Sequence, residues 1–291
     1  MELFLYRWFF NNDPAPGVIR KMFGIEPICS DVDGASMLTG VTSEHPIWLL
    51  VLITLGFAIL AYVLGSLNFS VLISKYVFHD DVRNYGSHNA GSTNMNRTYG
   101  TVAGVLTLVG DFAKGVAATL IPILLIGYNV GYLAGFCCIL GHCFPIFFKF
   151  KGGKGAATSA GIIFAADPIV GAIIVLTFLV VTIGTKFVSL GSIISVLIFP
   201  LVLDRIFLLT SGGIHPSIIT VISSLLMTVA VVFAHRQNIS RLLSGTENKI
   251  SFKKKKSKTE QSGNAKNEAK TAKKSLHRID DDESDENGEE K

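Results

Sequence analysis

The chain alternates between long apolar runs and short polar loops, not between single apolar and polar positions. Near-continuous apolar runs cover 47–64, 101–126, 130–148, 169–183, 187–203 and 217–234, with a shorter one at 156–166. A helix at the surface of a water-soluble protein carries a polar face, and these runs carry none. A bilayer core is about 30 Å thick and needs about 20 apolar residues per helix. A helix also satisfies its own backbone polar groups, which hydrocarbon cannot do. The pattern therefore predicts an all-α polytopic integral membrane protein.

The number of crossings turns on one short stretch. Residues 156–166 make a helix of only about 16 Å, and Asp167-Pro168 follows, where proline breaks or kinks a helix. Residues 156–183 thus form either one kinked crossing or two short ones turning at Asp167. The charges decide between them. Residues 1–46 carry Arg7, Arg20 and Lys21 against six acidic residues, which predicts an extracytoplasmic N-terminus. The run KKKKSK after residue 252 is a juxtamembrane basic segment that belongs on the cytoplasmic side. Opposite ends require an odd number of crossings, so seven are expected, with the turn at Asp167-Pro168.

Three regions follow. Residues 1–46 form an extracytoplasmic extension in which the stretch 3–10, with Trp8, suits the membrane interface. Residues 47–250 form the transmembrane domain. Residues 251–291 form a charged cytoplasmic tail ending in DDESDENGEEK, too polar to bury a core and expected to be disordered.

Composition adds little to this picture but excludes much. The 291 residues are 49% hydrophobic and 16% charged, against about 25% charged in soluble proteins, and the mean hydropathy is +0.47. The net charge of +4 sums basic loops against acidic ends, with no soluble basic domain to present it to nucleic acid. Cys29, Cys137, Cys138 and Cys143 lack metal-ligand spacing and read as small packing residues. No GxSxG, HExxH or Walker A pattern is present. Neither a metal nor a cofactor is expected, and no obligate protein partner is evident.

The polar residues gather in three places on the predicted cytoplasmic side. The loop 79–100 carries Arg83, Asn89, Thr93 and Arg97 among glycines, amides and hydroxyls suited to phosphate oxygens and a polyol. Ser66 stands at its head, as a packing hydroxyl or as a substrate contact. The loop KFKGGKG, 149–155, combines Lys149, Lys151 and Lys154 with Gly152, Gly153 and Gly155. Such a loop reads as a basic cytoplasmic connector or as a nest whose amides converge on an anion, aided by the helix that follows. His235, Asn238 and Arg241, three apart, share one helical face, and Glu247 follows. Inside the apolar runs, Asp111 and Lys114 stand three apart and are expected to pair as structural support. His142 either faces the same site or caps its helix.

At these residues the chain resembles the acyl-phosphate-dependent glycerol-3-phosphate acyltransferases of bacterial phospholipid synthesis, the PlsY family. The blocks are LGSLNFSVLISK (64–75), VRNYGSHNAGSTNMNRTYG (82–100), DFAKG (111–115), GHCFPIFFKFKGGKGAAT (141–158) and HRQNISRLLSGTE (235–247). The resemblance implies a multi-pass enzyme of the bacterial cytoplasmic membrane with seven helices and a cytoplasm-facing site. It would transfer a fatty acyl group from acyl phosphate to the 1-hydroxyl of sn-glycerol 3-phosphate, in contact with membrane lipid. It also implies roles: Ser66, Arg83, His235 and Asn238 in catalysis, the glycine loop with its lysines in phosphate binding, and Glu247 in holding the site. Family members often carry Pro at Asn68 and Gly at Ser70 and His88, so a looser bend after Ser66 is expected here. The competing reading from the residues alone is a transporter of an organic phosphate, but that would place its polar groups at the midplane.

Overall fold

The structure, a computed structural model, describes residues 47–250. The expectations for 1–46 and 251–291 lie outside the described residues. Ten α-helices and two short 3-10 turns, with no strand among the described residues, build the fold. They are α1 (Ile47–Ser66), α2 (Phe69–Val77), α3 (Ser92–Tyr99), α4 (Thr101–Leu125), α5 (Tyr128–Cys143), α6 (Ala156–Ala166), α7 (Pro168–Thr185), α8 (Val188–Thr210), α9 (Ile218–Ala234) and α10 (Arg236–Leu243). The 3-10 turns are Val82–Asn84 and Ile146–Phe148.

Four stretches are individually long and apolar enough to cross a membrane: Thr101–Leu125, Tyr128–Phe148, Pro168–Thr185 and Val188–Thr210. Two more pass as bent pairs, α1 with α2 at 43° and α9 with α10 at 58°. The sides of Val51, Leu60, Val102, Val180, Leu201 and Val229 are exposed. Such an apolar belt is stable only against lipid. This is an integral membrane protein of helical architecture.

Charged residues alone do not end these helices. α8 runs on through Asp204 and Arg205 to Thr210, beyond the apolar run, with Asp204 held by His215 (2.8 Å) and Arg205 (3.3 Å). α5 instead stops at Cys143, and Pro145 opens the turn before the glycine loop.

The break at Asp167 is a reversal. Pro168 is the first residue of α7, where its missing N–H is harmless. Gly171 lies against the backbone of Phe164, so close that a Cβ would sit 2.7 Å from its Cα. In a continuous helix these residues would stand about 10 Å apart along the axis. The far end of α7 returns to the end of the bundle that α6 left, because Lys249 lies over the Phe187 ring (5.5 Å) and Ser189 bonds Glu247. Asp167 itself is buried and accepts hydrogen bonds from Tyr128 and Tyr132 of α5, which fastens the turn.

Without water between them, membrane helices associate by close packing, and small residues let backbones meet. Two crossings show this. A Cβ on Gly65 would strike the Cys138 carbonyl and one on Gly141 the Tyr62 carbonyl, joining α1 to α5. A Cβ on Gly115 would strike the Thr158 carbonyl and one on Gly161 the Phe112 carbonyl, joining α4 to α6. Tyr132, Ile139, Ile162, Ile163, Phe199, Leu203 and Met227 fill the core between. These contacts fix where the ends of α1, α5, α6 and α9 lie, and the polar loops hang from those ends.

Candidate active site

The loop after α2 is held by two side chains. Asn94, buried at the start of α3, donates to the carbonyls of Val82 (3.0 Å), Tyr85 (3.0 Å) and Asn89 (3.1 Å), and accepts from the Ser87 amide (3.0 Å). Both hydrogens of this amide, one of them shared, and its oxygen are thus engaged within its own loop. Arg83 is the second. Its Nε and Nη2 engage both oxygens of Asp81 (2.9 and 2.7 Å). Its Nη1 donates to the carbonyls of Phe148 and Lys151, both at 3.0 Å. The guanidinium bonding holds the Asp81 carboxyl below its ordinary range and raises Arg83 further. Arg83 therefore clamps the first loop to the glycine loop, and most of its donors are committed to that contact. Asp81, its partner, was not among the sequence candidates, although the D-x-R spacing was there to be read.

Ser66 is buried at the end of α1. Its hydroxyl donates to the Tyr62 carbonyl (2.9 Å) and accepts from the Ile146 amide (3.4 Å). The bend that follows is capped, not loosened. Asn68 is the N-cap of α2, accepting from the Val71 amide (3.3 Å) and from the Ser70 hydroxyl (2.6 Å). The two departures from the family pattern thus bond to each other. His88, the third, has φ +56, a conformation that glycine adopts freely, and its Nδ1 lies 3.0 Å from the Arg83 carbonyl.

The glycine loop folds back onto the end of α5. The Gly152 amide donates to the Cys143 carbonyl (3.2 Å) and the Gly153 amide to the His142 carbonyl (3.1 Å). A nest in which every glycine amide faces an anion is therefore not what forms. The carbonyls that end α5 need donors, and these two amides supply them. Gly152 and Gly153 are close-approach residues, whose Cβ atoms would meet the His142 carbonyl and the His142 Nε2. Gly155 is the left-handed N-cap of α6 (φ +82). The first bond of α6 runs from the Ser159 amide to the Gly155 carbonyl (2.7 Å), so the amides of residues 156–158 open toward the loop. Lys149 and Lys151 are exposed, as are Thr93 and Arg97, while Asn89 is half-buried.

Lys154 points the other way, into the C-terminal cluster. Its ammonium donates to Asn238 Oδ1, and Asn238 Nδ2 donates to Glu247 Oε1 (2.7 Å). Glu247 also accepts from Arg241 (2.7 Å) and from Ser189 (2.8 Å), which ties α10 to α8. Burial would raise the Glu247 carboxyl, but the donors Arg241, Asn238 and Ser189 prevail and hold it below its ordinary value. Burial, with Arg241 and Arg97 nearby, brings Lys154 down to about 8. His235 donates from Nδ1 to the Val231 carbonyl (2.8 Å), and burial lowers it to about 4, so Nε2 is an unprotonated acceptor. Ser189 is a partner that sequence reasoning missed, since it lies 58 residues from Glu247.

Beneath both loops lies a buried charge cluster. Asp111 pairs with Lys114 (2.8 Å) and stands 3.5 Å from His142 Nδ1. Lys114 also donates to the carbonyls of Gly65 and Leu67, both at 2.9 Å. Among the described residues no three His, Cys, Asp or Glu side chains gather as a metal site.

The three loops thus meet at one end of the bundle, cationic and lined with amide donors. Comparison with known proteins gives this arrangement its family. The pattern described as "Glycerol-3-phosphate acyltransferase" matches residues 55–245. The chain belongs to the glycerol-3-phosphate acyltransferase family. It is 40% identical over 203 residues to the glycerol-3-phosphate acyltransferase of Clostridioides difficile strain 630, covering 68% of this chain and 95% of that one. Against the acyltransferase of Cupriavidus metallidurans it is 40% identical over 209 residues, 70% of this chain and all of that one. The crystal structure of PlsY (YgiH), an integral membrane glycerol 3-phosphate acyltransferase in its glycerol 3-phosphate form, superposes with a TM-score of 0.62 at 36% identity. It covers 68% of this chain and 96% of the PlsY chain. The lysophosphatidic acid form of PlsY gives 0.60 at 35%. Membership of this acyltransferase family places the chain in phospholipid biosynthesis.

Proposed function

We propose that this chain transfers a fatty acyl group from acyl phosphate to the 1-hydroxyl of sn-glycerol 3-phosphate, giving 1-acyl-sn-glycerol 3-phosphate and inorganic phosphate. The observation that carries this reading is Lys154, a half-buried cation between the open amides of α6 and the Asn238–Glu247 pair. It lies where a phosphorylated substrate meets oriented donors. The PlsY structures, whose forms are named for glycerol 3-phosphate and lysophosphatidic acid, support the same acceptor and product.

An acyl phosphate is already activated, so positioning and charge stabilisation suffice. The acceptor oxygen bonds to the carbonyl carbon, the bond from that carbon to the bridging oxygen breaks, and phosphate departs with the electron pair. Lys154 and the amides that open α6 hold phosphate oxygens, with Arg97, Lys149 and Lys151 at the rim. Asn89 and Thr93 contact the polyol. His235 Nε2 accepts a hydrogen bond from the hydroxyl and orients it. A pKa of about 4 makes it a weak base, so the proton passes to phosphate, whose second pKa is about 6. Ser66 acts through its hydroxyl contacts and not as a nucleophile, because its hydrogen is given to the Tyr62 carbonyl and, among the described residues, no basic side chain hydrogen-bonds to it. Arg83 acts by fixing the glycine loop.

The same reading sets the topology. The seven long or short apolar helices, α1 and α4 to α9, are seven crossings, with α2, α3 and α10 at the site end. Arg83, Arg97, Lys149, Lys151, Lys154, Arg236 and Arg241 lie in loops or helices at that end, which the positive-inside rule assigns to the cytoplasm of a bacterial cell membrane.

The test supplies purified protein with radiolabelled glycerol 3-phosphate and either palmitoyl phosphate or palmitoyl-CoA. Labelled lysophosphatidate from the phosphate donor alone is expected. Product from neither donor, with glycerol 3-phosphate still bound, overturns the enzyme reading in favour of transport.

A further inference from the structure

We propose that His142 is a positioning residue for the phosphate-binding loop, joined through Asp111 and Lys114 to the bend that carries Ser66. This deepens the acyltransferase reading and rests on it.

The three side chains form one buried row, in which the 3.5 Å approach of His142 Nδ1 to Asp111 falls short of a hydrogen bond. On one side, Lys114 donates to the carbonyls of Gly65 and Leu67, the residues on either side of Ser66. Those carbonyls lie where α1 breaks and its own helix cannot satisfy them. Asp111 holds the Lys114 ammonium and faces the His142 imidazole. On the other side, His142 supports the glycine loop twice. Its carbonyl accepts the Gly153 amide, and its Nε2 lies directly under Gly153. Gly153 is enclosed between that ring and the Ala90 carbonyl, with no space for a Cβ. All three polar side chains are buried.

A buried charge pair is weak evidence for stability, since removing two ions from water costs about what their attraction returns. What this cluster does geometrically is lie beneath both the bend after α1 and the glycine loop and touch each of them. Ser66 comes from α1, the glycine loop from the end of α5, and Asp111 and Lys114 from α4. His142 is the member that touches the phosphate-binding loop itself.

The experiment measures glycerol 3-phosphate affinity by calorimetry on the full chain in detergent, alongside kcat, KM and the unfolding temperature. His142→Phe keeps a ring under Gly153 but loses the link to Asp111. His142→Asn keeps an amide where Nδ1 stands. The Phe variant is expected to raise Kd and KM about tenfold with kcat nearly unchanged, and the Asn variant to recover most of that loss at equal unfolding temperature. Gly153→Ala keeps the Asp111, Lys114 and His142 side chains but drives a methyl into His142 Nε2 from the loop side, and it is expected to reproduce the tenfold rise, which keeps the test open if the Phe variant does not fold. Wild-type affinity in Gly153→Ala, or in both folded His142 variants, overturns the proposal. If the wild-type chain binds glycerol 3-phosphate but turns over no acyl donor, the acyltransferase reading falls, and the Kd comparison still decides the role of His142.

Discussion

Lys154 donates its ammonium to the side-chain oxygen of Asn238, 84 residues further along the chain. That single bond joins the glycine loop to α10. Lys154 also titrates unusually, since burial and the nearby Arg241 bring it down to about 8 from an ordinary 10.5.

Activity follows from the sign of that shift. Below about 8 the free enzyme carries the cation proposed to hold phosphate, and above it the cation is lost. Because kcat/KM reports the free enzyme, kcat/KM for glycerol 3-phosphate is expected to fall about tenfold per pH unit above 8. Lys154→Arg, whose charge persists, is expected to flatten that limb whatever its absolute rate. Stability moves the opposite way. The cation is disfavoured on folding, so the folded state gains stability as pH rises from about 8 toward 10.5. Thermal unfolding at pH 7 and 9.5 checks this.

Arg83 is expected to resist conservative replacement. Lysine has no fork to engage Asp81 while reaching two carbonyls of the glycine loop. Hydrogen bonds to a charged group contribute about 1.5–3 kcal/mol each, so Arg83→Lys and Arg83→Ala should both lower kcat/KM by about 100-fold or more in folded protein. Asp81→Asn, which keeps an acceptor, should cost less. Equal rates for Arg83→Lys and wild type would remove the clamp from the account.

Alanine at Gly65, Gly141 or Gly161 would push a methyl into a backbone carbonyl on the neighbouring helix. Overpacking costs about 1–3 kcal/mol, so each variant should unfold several degrees lower in detergent. Gly56 and Gly184 lie on the same class of helix with nothing within 4 Å of the added atom, and alanine there should be neutral or slightly stabilising.

The reversal between α6 and α7 depends on Asp167. Asp167→Ala leaves the phenols of Tyr128 and Tyr132 without their acceptor, at about 1–3 kcal/mol for each buried donor. Tyr128→Phe or Tyr132→Phe removes only one of the two bonds to the carboxylate and should cost less than Asp167→Ala. Unfolding temperatures in that order support the role. A Tyr variant as damaging as Asp167→Ala would show that ring packing, not the carboxylate, holds the turn.

Much of this fold was legible in the sequence because lipid imposes a simple rule, and each apolar run became a helix. The turn at Asp167-Pro168 was readable too, from proline's tendency to break a helix and from the charges at the two ends of the chain. The bonding was less so. Asn94 stood among the polar residues of its loop, but nothing in the string says that its amide spans residues 82 to 89. Ser189 sits in an apolar run and finds Glu247 only after α8 and α10 fold together. The glycine loop was recognised for its composition, yet two of its amides serve the end of α5. Which acceptor an N–H takes depends on the nearest unmet carbonyl, and that is a tertiary fact. The substitutions at Asn68 and Ser70 carry the same lesson. Read singly they suggested a looser bend, and read as a bonded pair they cap α2.

The break in α1 has a consequence for how the reactants come together. Lys114 stands 13 residues into α4, about 20 Å from its first residue along the axis, yet it reaches the carbonyls beside Ser66. The floor of the site is therefore well below the mouth formed by the polar loops. A water-soluble alcohol would have to descend into the protein, while an acyl donor dissolved in the bilayer would enter sideways at nearly the level where it already resides. The reaction would take place at a junction of two phases inside the protein, and the greasy chain would never have to be lifted into water.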